Sequence, residues 1–221
     1  GTFDVSVMRF KRGGTEVLST QGVAVGGELF DGYAFDLALN SRLGLNKLSS
    51  NDRLRDARTM HDLLTIAADH RTLSHLANLV LSNKRHPLRL LKRILDGGHA
   101  YALCRSVEAA KIELSIADEA EVALRRPESG VGISQQVSRE AFEAAIDQDM
   151  DIVIAQIDRA LEEAEVKPRE VNEVLLTGGS CMIPAFRRKL KRRFLVKQLK
   201  ERDVFSRVAT GLAHHARRLW S

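Results

Sequence analysis

A short apolar stretch followed by two glycines and a proline is the feature that most constrains this chain. Residues 173–177 are mostly apolar and few in number, which predicts a buried, central β-strand. Gly178 and Gly179 have no Cβ, so a flat or anionic ligand could approach the backbone closely. Pro184 suits the first turn of a helix. The pattern predicts strand, turn and helix N-terminus, either with a phosphate or polar ligand over the turn or as a tight connection without a ligand.

The residues before this stretch begin with a hairpin and continue into helices. Alternating apolar and polar residues over 2–10 predict a strand, and the turn at 11–15 predicts its return through 16–25. An apolar stripe at helical spacing predicts a helix over 28–43, and residues 51–115 are helical in pattern throughout. This long helical stretch between two strand-rich ends indicates an inserted subdomain.

A second hairpin and a long helix follow. Residues 119–124 and 130–137 are predicted strands around a turn that contains Pro127 and Gly130. Ser138 is a good N-cap for a helix that runs to about residue 165. A last helix is predicted over 206–220. Alternation of strands and helices at both ends of the chain predicts an α/β fold.

Length and composition restrict the class of protein. The chain has 221 residues, of which 44% are hydrophobic, enough to form one large domain or two small ones. It has no run of eighteen apolar residues, so a membrane partner is not expected. Two cysteines do not form a disulfide framework, and a reducing, cytoplasmic location is predicted. The start at Gly1 lacks an initiator Met or signal peptide, and we expect that a preceding part of a longer protein has been removed.

The positive charge of the chain is concentrated in one segment. The net charge is +5 and the isoelectric point is about 9.4. The basic residues concerned are Arg187, Arg188, Lys189, Lys191, Arg192, Arg193, Lys197 and Lys200. A solvated helix face is the favoured interpretation, with Leu190, Phe194, Leu195 and Leu199 on its buried side. Binding of nucleic acid is the alternative, and the low aromatic content of 5% argues against recognition of single strands.

Four segments together resemble a known family. They are residues 1–7 (GTFDVSV), 26–31 (GGELFD), 108–115 (EAAKIELS) and 177–184 (TGGSCMIP). In this order and at these separations they resemble successive nucleotide-site segments of the DnaK-type heat-shock chaperones, the heat shock protein 70 family. The helical insertion looks closest to the YegD-like branch of uncharacterised chaperone relatives.

The resemblance implies a fold and a division into domains. The match is to lobe II of the family's ATPase domain, which has the actin-like, ribonuclease-H-like fold. By this resemblance residues 1–45 and 116–221 would form the α/β core of the lobe, with a hairpin at about 116–137. Residues 46–115 would form a mainly helical inserted subdomain.

The resemblance also implies a MgATP/ADP site. Thr2 would lie near the γ-phosphate at the catalytic end, Gly1 would end a phosphate loop, and Asp4 would bind magnesium through water, as suits phosphoryl transfer. Gly27 would lie beside the ribose. The remaining nucleotide contacts would be Glu108, Lys111, Ile112, Ser115, Gly178, Gly179, Ser180, Met182 and Ile183. Glu108 and Lys111 are three residues apart on one helical face, so a carboxylate and an ammonium could meet a ribose or adenine edge together.

The sequence departs from the family at two of these positions. The family holds adenine between two arginines, and here Ile112 and Met182 occupy those positions, so the cation–π contribution is lost. The parent protein would hydrolyse ATP to ADP with lobe I of the same protein as partner, and this chain alone would be inactive. An unfolded-protein client or a co-chaperone is a further expected partner. The alternative function is a catalytically inactive, actin-like scaffold that binds a protein through its helical insertion.

The histidines and Cys181 give weaker indications of a functional site. His61, His70, His75, His86 and His99 do not have the spacing of a zinc site, and surface positions are the favoured interpretation. Cys181 lies near a predicted helix N-terminus, which could lower its pKa. No base is identifiable beside it, so a small residue of the turn is predicted rather than a nucleophile.

Overall fold

The computed structural model describes residues 1–12, 14–49, 52–81, 86–200 and 216–217. The chain divides into two units: the first combines residues 1–27 with 147–221, and the second comprises residues 28–146. Both units contain helices and strands, which confirms the α/β class. The helix predicted over 206–220 lies outside the described residues, except that Ala216 and Arg217 are helical.

The first unit begins with a long hairpin. Strands β1 (Phe3–Lys11) and β2 (Gly14–Val23) pair antiparallel from Phe3 opposite Val23 to Lys11 opposite Gly14. A bulge shifts the register between Val7 and Met8. Side chains along β1 alternate between half-buried and exposed up to Met8, as the sequence predicts.

The hairpin lies against the second half of a long helix, α7 (Arg139–Glu163), which passes from the second unit into the first. The hydroxyl of Ser19 donates to the carbonyl of Ala160 at 2.6 Å, and the amide of Gln21 donates to the carboxylate of Glu163 at 2.7 Å. In the first unit this helix buries an apolar face that consists of Met150, Val153, Ile154, Ile157 and Leu161. Polar contacts therefore fix the hairpin to a helix whose apolar face forms the core.

The strand before the glycine turn is shorter and more exposed than predicted. Strand β5 (Val174–Leu175) pairs in parallel with β6 (Leu199–Lys200). Leu176 is buried, but the side chain of Leu175 is 53% exposed, so the prediction of a central, buried strand is wrong in this respect. The reason is that β6 is the only strand that pairs with β5 among the described residues.

The first half of the basic segment lies in helix α8 (Pro184–Lys191), which starts at the predicted proline. Leu190 and Phe194 are buried, as predicted, whereas Leu195 is 55% exposed. The helix ends before Leu195, so helical spacing no longer turns this side chain toward the core. The ring of Phe186 on α8 meets the ring of Phe3 edge-on, with centroids 5.7 Å apart.

The second unit is mainly helical. Helix α1 (Gly27–Phe35) continues through a π-helical turn at Asp36–Asn40 into α2 (Ser41–Leu43), which confirms the helix predicted over 28–43. The predicted helical stretch contains α3 (Met60–Ala68), α4 (His70–Leu81), α5 (Arg89–Asp96) and α6 (Ala100–Glu113). Their fully buried side chains include Leu63, Leu76, Leu91, Ile94 and Leu103.

A hairpin of β3 (Glu119–Arg126) and β4 (Val131–Ser138) belongs to the same unit and confirms the two predicted strands. It adjoins α6, where the backbone N–H of Ala123 donates to the hydroxyl of Ser106 at 2.9 Å. The hydroxyl of Ser138 accepts from the N–H of Ala141, which confirms the predicted N-cap of α7. The predicted boundaries at residues 45 and 116 stay a prediction of domain organisation. None of the helices within the described ranges is long and apolar enough to cross a bilayer.

Candidate functional site

The predicted site residues are distributed over both units. In the first unit, the start of β1 lies against the glycine pair Gly26–Gly27. A Cβ on Gly26 would lie 2.7 Å from the carbonyl carbon of Gly1, so only glycine permits this approach of two backbones. A Cβ on Gly1 would in turn lie 3.7 Å from the nitrogen of Gly27. The structure thus brings Gly1 and Gly27, two predicted ligand residues, together.

The polar side chains at the start of β1 are exposed. The hydroxyl of Thr2 donates to the carboxylate of Asp4 at 2.9 Å. Exposed carboxylate and hydroxyl oxygens are ligands that suit Mg²⁺ and its bound waters. The exposed carboxylate of Asp4 therefore fits the water-mediated magnesium contact that the family resemblance implies.

The glycine turn is open on the side away from the core. Gly178 has φ of +86° and Gly179 begins a 3₁₀ turn that ends at Met182. A Cβ on Gly178 would meet nothing within 4 Å, so there is space for a side chain. Glycine is favoured here because of the positive φ angle. Gly178 and Gly179 are both exposed, and Ser180 is half-buried.

Ile183, the residue directly before α8, is more buried than the glycines of the turn. Ile183 is the N-cap of α8, and the whole residue is only 4% exposed. Ile183 therefore belongs to the core in this structure, and its predicted contact with a nucleotide stays a prediction.

The thiol in this turn has a structural role. Cys181 is buried, and its thiol donates to the carbonyl of Thr177 at 3.1 Å. Burial raises the pKa of Cys181, although the charge of Arg187 opposes the rise. The idea that the helix N-terminus lowers this pKa is wrong, because desolvation is the larger effect. The prediction of a small turn residue agrees with this geometry.

Arg187 is a residue of this region that the sequence analysis missed. Its Nε donates to the carbonyl of Cys181 at 3.1 Å, and its terminal nitrogen lies 3.1 Å from the sulfur of Met182. The sequence interpretation placed Arg187 on a solvated basic face. Its position near the start of α8, within reach of the preceding turn, is the signal that could have identified it.

In the second unit, α6 carries Glu108 and Lys111, each bound to a different protein partner. The ammonium of Lys111 lies 2.7 Å from the carboxylate of Asp31 on α1. The side chains of Lys111 and Asp31 are 14% and 25% exposed, so the pair is largely shielded from water. Glu108 forms an ion pair with Arg105, three residues earlier on α6. Helical spacing predicted Glu108 and Lys111 on one face, but it did not identify Asp31 or Arg105.

The environment of Asp31 disfavours its charged form. Burial raises the pKa of Asp31, the hydrogen bond and charge of Lys111 lower it, and the charges of Glu108 and Glu28 raise it further. The pKa of Asp31 stays above its ordinary value. The ion pair therefore only partly offsets the cost of shielding this carboxylate.

The C-terminal end of α6 presents apolar side chains to solvent. Ile112 is 60% exposed and Ile116 is 83% exposed, while Ser115 between them is half-buried. The backbone N–H of Ser115 donates to the carbonyl of Ile112 at 3.0 Å. Ile116 lies in the turn after α6 and was not predicted as a site residue.

Two of the histidines contact side-chain oxygens. His75 lies 3.0 Å from a carboxylate oxygen of Asp52, and His99 lies 2.9 Å from the hydroxyl of Ser129. In the part of the chain that the structure describes, no three His, Cys, Asp or Glu side chains are grouped as a metal site would need.

Comparison with known proteins identifies related sequences. The sequence model of the Hsp70 protein family matches residues 92–219. The chain is 28% identical over 197 residues to the chaperone protein DnaK of Prochlorococcus marinus (strain MIT 9515). This alignment covers 87% of this chain and 24% of that protein. It is 29% identical over 217 residues to the chaperone protein HscA of Pectobacterium carotovorum subsp. carotovorum (strain PC1), covering 98% of this chain and 27% of that protein. The chain is 30% identical over 217 residues to HscA of Yersinia enterocolitica, an alignment that covers 98% of this chain and 27% of that protein. The chain thus spans about a quarter of the length of these relatives.

Proposed function

This chain belongs to the Hsp70 protein family, and from that premise we propose that it forms lobe II of the nucleotide-binding domain of a chaperone ATPase. The family match extends over both α6 and the glycine turn, and this is the observation that carries the proposal. The Hsp70 family implies an actin-like ATPase fold, and the mixed α/β elements of both units are compatible with it. The inserted helical subdomain at 46–115 and the likeness to YegD-like relatives belong to the same proposal.

In this proposal the chain supplies the adenosine side of a MgATP/ADP site. In the first unit the proposed contacts are Gly1, Gly27, Gly178, Gly179, Ser180, Met182 and Ile183, and a ligand can approach the backbone of the exposed Gly178 and Gly179. In the second unit they are Glu108, Lys111 and Ile112 of α6 and Ser115 in the turn after it. The polar side chains of Glu108, Lys111 and Ser115 suit ribose hydroxyls.

Thr2 and Asp4 would act at the phosphate end. Magnesium bound through water to Asp4 would neutralise charge on the phosphates, which favours transfer of the γ-phosphoryl group to water. The chain's own contribution is to hold that carboxylate exposed and oriented by the hydroxyl of Thr2. Hydrolysis of ATP would need groups from lobe I of the parent protein, so the chain alone is not expected to turn over ATP.

At the level of the whole protein, we propose that ATP hydrolysis changes the conformation of a chaperone that acts on unfolded clients, with or without a co-chaperone. The DnaK and HscA relatives are named chaperone proteins, which supports this proposal. A cytoplasmic location remains part of the proposal.

A calorimetric titration with MgADP tests the nucleotide function. The wild-type chain should show saturable binding, and a Glu108→Ala/Lys111→Ala variant should lose it, because both α6 groups that meet the ribose are removed. A Lys92→Ala variant on the neighbouring α5 is the matched control and should bind as the wild type does. Its ion pair with Asp96 is exposed and lies outside the proposed contacts.

The second candidate function is a protein-binding scaffold without turnover. The observation that favours it is the 60% exposure of Ile112 at a position where the family carries a base-stacking arginine. Titration of the full-length parent with MgADP separates the two functions. Binding there supports the ATPase, and absence of binding there together with a folded protein supports the scaffold.

A further inference from the structure

We propose that Asp31 neutralises Lys111 and thereby makes the α6 residues selective for an unphosphorylated ribose. Asp31 would be a specificity-determining residue that positions Lys111 rather than a ligand of the nucleotide. The inference rests on the proposed nucleotide function. It adds the class of nucleotide that is accepted and the class that is rejected.

The geometry assigns Lys111 a fixed position. Its ammonium lies 2.7 Å from the Asp31 carboxylate, and both side chains are mostly shielded from water. The two residues come from different helices, α1 and α6, so the ion pair links two elements of the second unit. A lysine held in this way donates hydrogen bonds from a defined place instead of sampling many rotamers.

The surrounding charges determine which ligand this lysine can serve. Asp31 is influenced by the carboxylates of Glu108 and Glu28 as well as by Lys111. Arg105 is paired with Glu108. Three carboxylates and two cations therefore make up this group, which gives no excess of positive charge for an anion.

A ribose hydroxyl and a ribose phosphate would be treated differently here. A hydroxyl can accept from the ammonium and donate to a carboxylate at the same time. A phosphate only accepts, and next to Glu108 and Asp31 it would face like charges. Rejection of the phosphorylated ligand by like charge is a recognised route to specificity.

Two nucleotides that differ by one phosphate test this selectivity. The probes are ADP and ADP with an additional 2′-phosphate, titrated calorimetrically into the chain with magnesium present. The wild type should prefer ADP by about tenfold or more, which corresponds to the penalty of one unfavourable charge contact. Asp31→Asn should reduce the preference at least about fivefold, because it leaves the charge of Lys111 less compensated.

Asp36→Asn is the matched control. Asp36 also lies half-buried in the second unit and has a raised pKa caused first by burial, but its ion-pair partner is Arg58. This variant should keep the wild-type preference. Equal weakening of both nucleotides in Asp31→Asn, or no preference in the wild type, would overturn the inference.

A measurement without nucleotide separates failure of this inference from failure of the nucleotide function. The titration of the Asp31 carboxyl carbon, followed by NMR, should move to higher pH in Lys111→Met because a favourable charge is removed. An unchanged midpoint would overturn the Asp31–Lys111 pairing whatever the chain binds. A moved midpoint in a chain that binds neither nucleotide would overturn the selectivity, and titration of the full-length parent then decides the nucleotide function.

Discussion

Two glycines of the second unit share a left-handed backbone but differ in their surroundings. Gly44 has φ of +76°, and a Cβ there would lie 2.3 Å from the Cβ of Pro87. Gly98 has φ of +67°, and a Cβ there would meet nothing within 4 Å. A side chain at position 98 would therefore cause only backbone strain. A side chain at position 44 would cause the same strain and would also clash with the ring of Pro87.

Alanine substitution should separate these two effects. Gly98→Ala should lower the free energy of unfolding by about 1 kcal/mol, as is typical of strain in the left-handed region. Gly44→Ala should lower it by about 2–4 kcal/mol because overpacking is added to strain. Urea denaturation followed by circular dichroism measures both values, and equal losses would show that Pro87 moves aside freely.

The buried thiols predict low chemical reactivity of the native chain. Burial, followed by the charges of Asp31 and Asp62, raises the pKa of Cys104 to about 11. Because the thiolate is the reactive form, Cys104 should react with iodoacetamide at pH 8 at least about a hundredfold more slowly than in the urea-unfolded chain. Mass spectrometry after timed labelling measures the two rates. Comparable rates in the native and unfolded chain would contradict the environment described here.

At the scale of elements, α8 and the residues that directly follow it are held on α7 by ion pairs. Lys189 lies 2.8 Å from Asp147 and 2.6 Å from Asp151, and Arg193 lies 3.1 Å from Asp158. Burial tends to lower the pKa of Lys189, but hydrogen bonds and charges of Asp147 and Asp151 outweigh it and raise this pKa. The basic segment thus has acidic partners within its own unit.

The raised pKa of Lys189 predicts how stability responds to alkali. A lysine with a higher pKa in the folded state stabilises that state below its ordinary pKa of about 10.4, and this contribution is lost as pH rises through the folded value. Lys189→Met should therefore cost up to about 1 kcal/mol near pH 8, since the partners are exposed and screened. The cost should shrink above about pH 10.4. Urea midpoints at pH 8 and pH 11 test this, with Lys191→Met as control, and a cost that grows with pH would contradict it.

At the scale of the whole molecule, the distribution of positive charge argues against nucleic acid as a partner. Lys189 and Arg193 are paired with aspartates of α7, and Arg187 is bonded to the turn before α8. The charge that a polyanion would need is thereby partly compensated within the first unit.

Fluorescence anisotropy with labelled single-stranded DNA tests this expectation. Binding at 150 mM salt should be weak, with a shallow dependence on salt concentration, because few phosphate contacts would release counterions. An Asp147→Asn/Asp151→Asn/Asp158→Asn variant, which frees the same cations, should bind more tightly than the wild type. Tight wild-type binding with a steep salt slope would restore the nucleic-acid hypothesis.

Local patterns in the sequence predicted most of the elements. The period-2 alternation of β1, the N-cap at Ser138 and the proline that starts α8 are local signals, and the structure has each element in its predicted place. The family likeness was equally readable, because it depends on short segments and their order. The assignment of nucleotide contacts by position stays a prediction.

Long-range packing decided what those patterns could not. Helical spacing put Glu108 and Lys111 on one face, but the partner of Lys111 is Asp31, eighty residues earlier in the chain. The exposure of Leu175 depends on which strands pair with β5, and the raised pKa of Cys181 depends on its burial. The sequence by itself determined the elements, their order and the family, since these follow from neighbours along the chain. Only the tertiary structure decided the ion-pair partners and the burial of each group, because both depend on residues that are distant in sequence.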